Sequence, residues 1–497
     1  MGWSYLRWSA GRCSIPCAAI PLRICALALL ACAPAACAGH NGQSRAASQP
    51  ASAYAFRNTV DSIPATWQDS TVFQLSHDYP ASQPQCVLCV WMALPLGDTT
   101  FSSWTPYLDA LFTYAVAGQP AGLGRWATQV EVGGQMITRW YHVPWMAYDT
   151  MSGREFIHGT TNERTATRSN FVGRGDGAMM LLAARAGQAG TIRVGANPLP
   201  GAAPDTLFET WAVGMYNPVG AYAIGSAVPA SGVPQSAAVQ GNAALPVRFP
   251  NGSMVVKVLF TTADSSNVPY LRGAPRWTVN RHVALDSVRR SPQPVTLIQM
   301  DLAVRDDRSP TGWVYATYAY DGTSGPAGGP WWLRMHAVGV QWGNDPQSYP
   351  AVDSTSSEPL TQSAINHGVA TYEHNGCFGR LAGPVDNPQS SCMSCHQGAV
   401  APFPVGTQAT TANIPPIFGF PPVPNTPSAM CVRTSTTADS LNAMNTAYFQ
   451  NVAYPGPYPA FPGVNGSTIN LDTSLQLQVA YKQYANWLVA QDALSRR

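Results

Sequence analysis

Cys392-Met393-Ser394-Cys395-His396 sets two thiols three residues apart, with an imidazole directly after the second. On one turn of helix both thiols can reach the two vinyl groups of a single porphyrin. The histidine then falls beneath the iron as its proximal ligand, so the pattern reads as the covalent attachment site of one haem c. Half of a zinc site is the competing reading. It requires a second Cys/His pair close by, and the flanking sequence supplies none.

The sixth iron position decides the chemistry. Methionine there makes a six-coordinate electron carrier, whereas an open position admits small molecules. Met430, behind a proline-rich stretch from Pro402 to Pro427, is the candidate distal ligand. Met444 falls in an expected helix from Ser440 to Gln450 and reads as core, a common place for methionine. His367 and His374 are the upstream alternatives. Arg380 and Asn387 either meet haem propionates or are ordinary turn residues.

Two further groups are candidates for binding. His142 and His158, with Glu155 between them, offer a donor set for zinc, copper or iron, although the spacing equally suits histidines that bond across loops. Trp140, Trp145, Trp331, Trp332 and Trp342 could line a ligand groove or fill a core. The sequence contains no serine-hydrolase elbow, phosphate loop or dinucleotide fingerprint.

Haem c is attached after export, so the N-terminus bears on the motif. Arg7, Arg12 and Arg23 precede a short apolar run, Ile24 to Ala31, followed by small residues. Residues 1–38 therefore read as a signal peptide. Leu29-Leu30-Ala31-Cys32 resembles a lipobox, which would leave a lipidated Cys32 as the one membrane anchor. Ala36-Cys37-Ala38 before Gly39 fits a small-residue cleavage site, which would release a soluble chain. The apolar run is too short to span a bilayer, and no later stretch reaches the ~20 apolar residues required. The expected location is the periplasm or the outer membrane.

Beyond the leader, Cys86, Cys89, Cys377 and Cys431 remain besides the haem pair, and an oxidising compartment could join them as disulfides. Pairing Cys86 with Cys89 and Cys377 with Cys431 is the local connectivity, but spacing alone does not fix it. Val90, not histidine, follows Cys89, so that pair is not a second haem site.

The elements that must hold these residues are mostly strands. Only 11% of the chain is charged, with 43 Gly and 43 Pro, a balance that suits strands and turns. Residues 39–59 are small and polar and read as a linker. From 60 to 345 the pattern is β: Gly252 to Phe260, Val295 to Val304 and Gly312 to Tyr320 are β-rich runs bounded by turns. Trp211 to Tyr216 and Ala221 to Ile224 flank an Asn217-Pro218 turn. Residues 346–497 form the haem c section, with a short helix expected over Glu358 to Asn366. A terminal helix is expected from Ser474 to Gln491, capped by Asp472 or Thr473. The expected architecture is a mainly β N-terminal module, an antiparallel sandwich or barrel. It carries a C-terminal, partly helical, loop-rich haem c section.

Several stretches resemble a family of large exported bacterial proteins known only as mono-haem cytochrome c family members. They are Trp140 to Met146, Gly153 to Gly159, Trp211 to Asn217, Trp342 to Pro346 and Gly379 to Pro388. The resemblance implies one haem c and export, without a settled substrate. A second likeness is to β-rich haem enzymes that oxidise hydroxylamine and carry a lysine crosslinked to haem. Phe249-Pro250-Asn251-Gly252 leading to Lys257, then Gly312-Trp313, then the late haem motif follow that family's order. The likeness implies that Lys257 lies near the haem, although a long segment follows His396 here.

The formal net charge of +2 gives no reason to expect nucleic acid as a partner. Electron transfer with a redox protein partner is the leading expectation. A haem-dependent oxidoreductase acting on a small substrate, or a haem-bearing ligand sensor, is the alternative.

Overall fold

The computed structural model describes residues 73, 75–86, 88–121, 126–142, 148–149, 153–154, 160–162, 210–229, 247–266, 269–282, 290–325, 328–348, 359–369, 379–383, 391–402, 449–451, 468–478 and 480–481. Cys32, Glu155, His158, Trp145, His374, Cys377, Asn387, Met430, Cys431 and Met444 lie outside them, as do the signal peptide and the linker.

The described part is mainly β. Its strands are β1 (Gln129–Val132), β2 (Gln135–Thr138), β3 (Tyr141–His142), β4 (Tyr148–Asp149), β5 (Gly153–Arg154), β6 (Thr160–Asn162), β7 (Thr210–Tyr216), β8 (Met254–Thr261), β9 (Arg276–His282), β10 (Arg290–Arg305), β11 (Trp313–Tyr320), β12 (Met335–Gln341), β13 (Ser363–Ile365), β14 (Val400–Pro402) and β15 (Thr468–Asn470). Helices are few: α1 (Phe101–Val116), α2 (Pro218–Ala227) and α3 (Cys392–His396). Nine strands form one sheet in the order β13-β12-β11-β10-β8-β7-β3, with β6 joining β7 and β9 joining β10. Its ladders are all antiparallel.

Strand β10 organises the sheet. Its first half, Arg290 to Thr296, pairs with β9, and its second half pairs with β11 on that same edge; β8 lies along the other edge. The register with β8 shifts between Leu297 and Gln299. Such a bulge bends a strand and increases its twist, and here it falls where β10 passes from one neighbour to the next.

Side chains alternate between the two faces of a strand, and both faces of this sheet are covered. Met254, Val256, Val258, Met300, Leu302, Val304, Val314 and Val340 join one core with Trp104, Tyr107, Leu108 and Leu111 of α1. Val255, Ala303, Trp313, Tyr315 and Tyr216 point the other way. They join a second core with Ala221 and Ile224 of α2, Met393 of α3, and Leu471, Leu477 and Tyr481. The CxxCH helix thus packs on the second face of the same sheet.

Local chemistry overrides two sequence expectations. Ala221 to Ile224 is not a strand beyond a turn but the middle of α2. Asn217 is its N-cap, accepting from Gly220 N at 2.9 Å, and Pro218 occupies the first turn, where a missing N–H costs nothing. The region expected as a helix from Glu358 to Asn366 instead contains β13. Asp345 takes its main chain: Oδ1 accepts from Thr361 N and Gln362 N, both at 2.6 Å, and Oδ2 accepts from Ser363 Oγ at 3.0 Å. With those amides directed at a carboxylate and the next residues paired to β12, no helical turn forms.

Candidate functional site

The CxxCH segment is a single helical turn with a well-defined start. Ser391 is extended and its Oγ accepts from Ser394 N at 3.3 Å, the N-cap bond that satisfies an otherwise orphan amide. The sheet holds the turn from beneath. Gln341 Oε1 accepts from Met393 N at 3.1 Å, and Ser394 Oγ donates to Asn344 Oδ1 at 2.8 Å. Cys392 N donates to Leu381 O at 3.1 Å. Met393, Ser394 and Gln397 are buried, whereas Cys392, Cys395 and His396 are half-buried. The helix thus buries its two spacer residues, Met393 and Ser394, more deeply than Cys392, Cys395 and His396. Neither Cys392 nor Cys395 is in a disulfide.

His396 is fixed from two sides. Its ring packs on that of Tyr315, with centroids 4.8 Å apart. Its Nδ1 lies 2.9 Å from the carbonyl oxygen of Thr473. A carbonyl can only accept, so Nδ1 carries a proton, and in the neutral ring Nε2 is then the nitrogen with the lone pair. That is the tautomer a metal-ligating histidine requires, with the other ring nitrogen donating to a backbone carbonyl.

The Thr473 carbonyl reaches this position through unusual backbone. Asp472 and Thr473 both have positive φ, 49° and 62°, a region in which a β-branched residue is rarely found. Side chains from the sheet hold the pair there. Asp472 Oδ1 accepts from Arg305 Nη1 at 2.9 Å and Trp313 Nε1 at 3.3 Å, and Oδ2 accepts from Phe249 N at 2.8 Å. Tyr315 OH donates to Thr473 Oγ1 at 3.1 Å. Burial pushes the Asp472 carboxyl up and the Arg305 guanidinium pulls it down, with burial prevailing. Burial likewise raises the Tyr315 phenol well above its ordinary range, which keeps it a proton donor. Residues 475–478 are helical, and Ser474, not Asp472 or Thr473, caps them by accepting from Leu477 N at 3.2 Å.

A polar row continues beyond Tyr315 on the same sheet face. Register aligns Gly214 with Lys257, Lys257 with Asp301, Asp301 with Thr317, and Thr317 with Gly339. Asp301 Oδ1 accepts from Gln299 Nε2 at 2.7 Å and Thr317 Oγ1 at 3.0 Å. Lys257, singled out by the likeness to hydroxylamine-oxidising enzymes, therefore lies on the face that carries His396.

The remaining candidates are dispersed. Arg380 is fully buried: its guanidinium donates to the carbonyls of Asn344 and Asp345, at 3.1 and 2.8 Å, and stacks on Phe449. It clamps the Asn344–Asp345 turn. His367 is exposed on the turn after β13. His142 is buried with its ring 4.7 Å from that of His77. Trp140, Trp331 and Trp342 are core residues. Trp332 lines a shallow cavity of about 490 Å³ with Phe112, Val116, Leu333, Met335 and His336. Phe112 stacks on Tyr318, so that cavity belongs to the face opposite His396. Cys86 and Cys89 are joined as a disulfide.

Sequence reasoning missed Thr473, Asp472, Arg305 and Tyr315 as partners of the motif. They lie far from it in the chain, and the key contact is a backbone carbonyl, which has no residue signature. Among the described residues no group of three or more His, Cys, Asp or Glu forms a metal cluster, and no helix is long and apolar enough to cross a membrane. Comparison of the chain with protein-family models, curated proteins and solved structures finds no match.

Proposed function

We propose that this chain is an exported mono-haem c-type cytochrome that passes electrons in the periplasm or at the outer membrane. In this reading a β-rich module carries a C-terminal haem section. The observation that carries the proposal is His396 itself: its Nδ1 proton is committed to Thr473 O, which in the neutral ring leaves Nε2 as the nitrogen that can donate to a metal. Two half-buried thiols on the same helical turn, neither in a disulfide, complement it. This donor set fits covalent haem c.

Cys392 and Cys395 would attach the porphyrin and His396 would ligate its iron. Haem supplies a one-electron couple when bound. The chain's own contribution is to hold that ligand still. Ser391, Gln341 and Asn344 fix the helical turn, Tyr315 supports the imidazole ring, and Thr473 O retains the Nδ1 proton. A redox protein is the expected partner, and an N-terminal lipid on Cys32 is the proposed membrane link. Met430 is the proposed distal ligand.

The second reading is a haem-dependent oxidoreductase with an open distal position. It is favoured by the row of Lys257, Asp301, Thr317 and Gln299, whose groups could move protons or bind a small polar substrate on that face.

Absorption spectra of the matured protein separate the two readings. In the electron carrier, the methionine–iron charge-transfer band is present and disappears in Met430→Ala. In the oxidoreductase, the ferrous protein binds carbon monoxide readily and Met430→Ala changes nothing.

A further inference from the structure

We infer that the buried ion pair of Arg305 with Asp472 is a positioning device for His396. It acts through the Thr473 carbonyl to set how strongly the imidazole binds iron. The inference rests on the haem reading above and deepens it.

The connection is continuous through direct contacts of the fold. Arg305, at the end of β10, and Asp472 have side chains only 3% and 1% exposed and meet at 2.9 Å. Gly312, with φ +75°, leaves room for this guanidinium, because a Cβ there would lie 2.5 Å from Arg305 Cζ. Asp472 uses both carboxylate oxygens as acceptors, so the residue cannot rotate without losing Arg305 and Trp313 or the Phe249 amide. It thereby fixes the positive φ that the next residue also adopts, and Thr473 turns its carbonyl onto His396 Nδ1. Tyr315 closes the assembly, bonding Thr473 Oγ1 while its ring supports the imidazole. Backbone in this region persists only where its surroundings over-determine it, and here they include the ion pair, Trp313, the Phe249 amide and the Tyr315 phenol.

A strong bond from Nδ1–H gives the imidazole more anionic character, which makes it a stronger donor to iron and favours the oxidised state. Slackening the loop weakens that bond, so the midpoint potential rises whichever anchor is cut. Charge alone predicts a different pattern. Loss of a negative carboxylate raises the potential, loss of a positive guanidinium lowers it, and loss of a neutral hydroxyl leaves it unchanged.

The test is spectroelectrochemistry of three variants of the full-length haem protein: Asp472→Asn, Arg305→Gln and Tyr315→Phe. The expected result is a rise in midpoint potential in all three. A fall in Arg305→Gln together with no change in Tyr315→Phe overturns the inference and leaves the haem reading intact. If Arg305→Gln fails to fold, Tyr315→Phe decides alone, since it removes one oxygen and keeps the ring. If the unaltered chain binds no covalent haem, the haem reading fails separately. The device is then tested by nitrogen NMR of His396 in the haem-free chain. The Nδ1–H tautomer is expected to dominate and to lose population in Tyr315→Phe; an unchanged tautomer balance overturns it.

Discussion

Asp306 shows how one carboxylate can join a helix to a sheet. Its Oδ2 accepts from Tyr107 OH of α1 at 2.8 Å and from Arg308 Nη2 at 2.6 Å, while Oδ1 accepts from Arg308 Nε at 2.8 Å. Burial works to raise this carboxyl, but the bonds from Arg308 and Tyr107 outweigh it and hold it below the ordinary aspartate range. A carboxyl lowered in the folded state binds fewer protons there than in the unfolded chain. Its stabilisation is therefore complete above the unfolded value and is lost as pH falls through the folded one. Denaturation midpoints measured from about pH 5 to about pH 2 should fall less steeply in Asp306→Asn than in the unaltered chain. At neutral pH the same substitution should cost about 2 kcal/mol, less than the ~3–5 kcal/mol for breaking a fully buried pair because Arg308 is 38% exposed. Equal acid slopes in the two proteins would contradict this assignment.

At the scale of elements, Asn217 and Leu111 carry the clearest consequences. Asn217 caps α2 and also ties it to the sheet: its Oδ1 accepts from Met254 N and its Nδ2 donates to Gly252 O. Asn217→Ala should therefore cost about 2–3 kcal/mol in chemical denaturation, more than a cap alone. Leu111, fully buried where α1 meets the sheet, should cost about 3 kcal/mol as Leu111→Ala. Urea midpoints measure both, and a loss under 1 kcal/mol at either site would show the packing there to be misread.

Elements were legible where patterning was strong. β7, β8, β10 and β11 all lie where β-branched and aromatic runs end in turns. α2 was missed because Asn-Pro also opens β-turns. α1 was missed although Trp104, Tyr107, Leu108 and Leu111 follow helical spacing. β13 depends on Asp345, a residue outside the segment it organises, and no local pattern reports such a partner. The candidate site was legible in the same way. Cys392, Cys395 and His396 form a contiguous motif, whereas the residues that orient His396 come from β10, β11 and the 471–474 turn.

The described residues place two apolar cores on the two faces of one antiparallel sheet, and the faces differ in chemistry. The α1 face is filled with tryptophan, tyrosine and aliphatic side chains and holds the shallow cavity beside Trp332. The other face carries the CxxCH helix, its tethers and the Lys257 to Thr317 row. On the proposed haem reading the cofactor sits on the second face, and substitutions at Trp332 should leave the haem spectrum unchanged. Covalent haem at Cys392 and Cys395, as proposed, is tested by intact-mass measurement of the chain exported from cells with the maturation machinery. The expected result is a mass increased by one haem, with that haem retained on denaturation and lost from the Cys392→Ala, Cys395→Ala double variant. A mature chain at its unmodified mass, or a haem that the double variant still holds covalently, would contradict it.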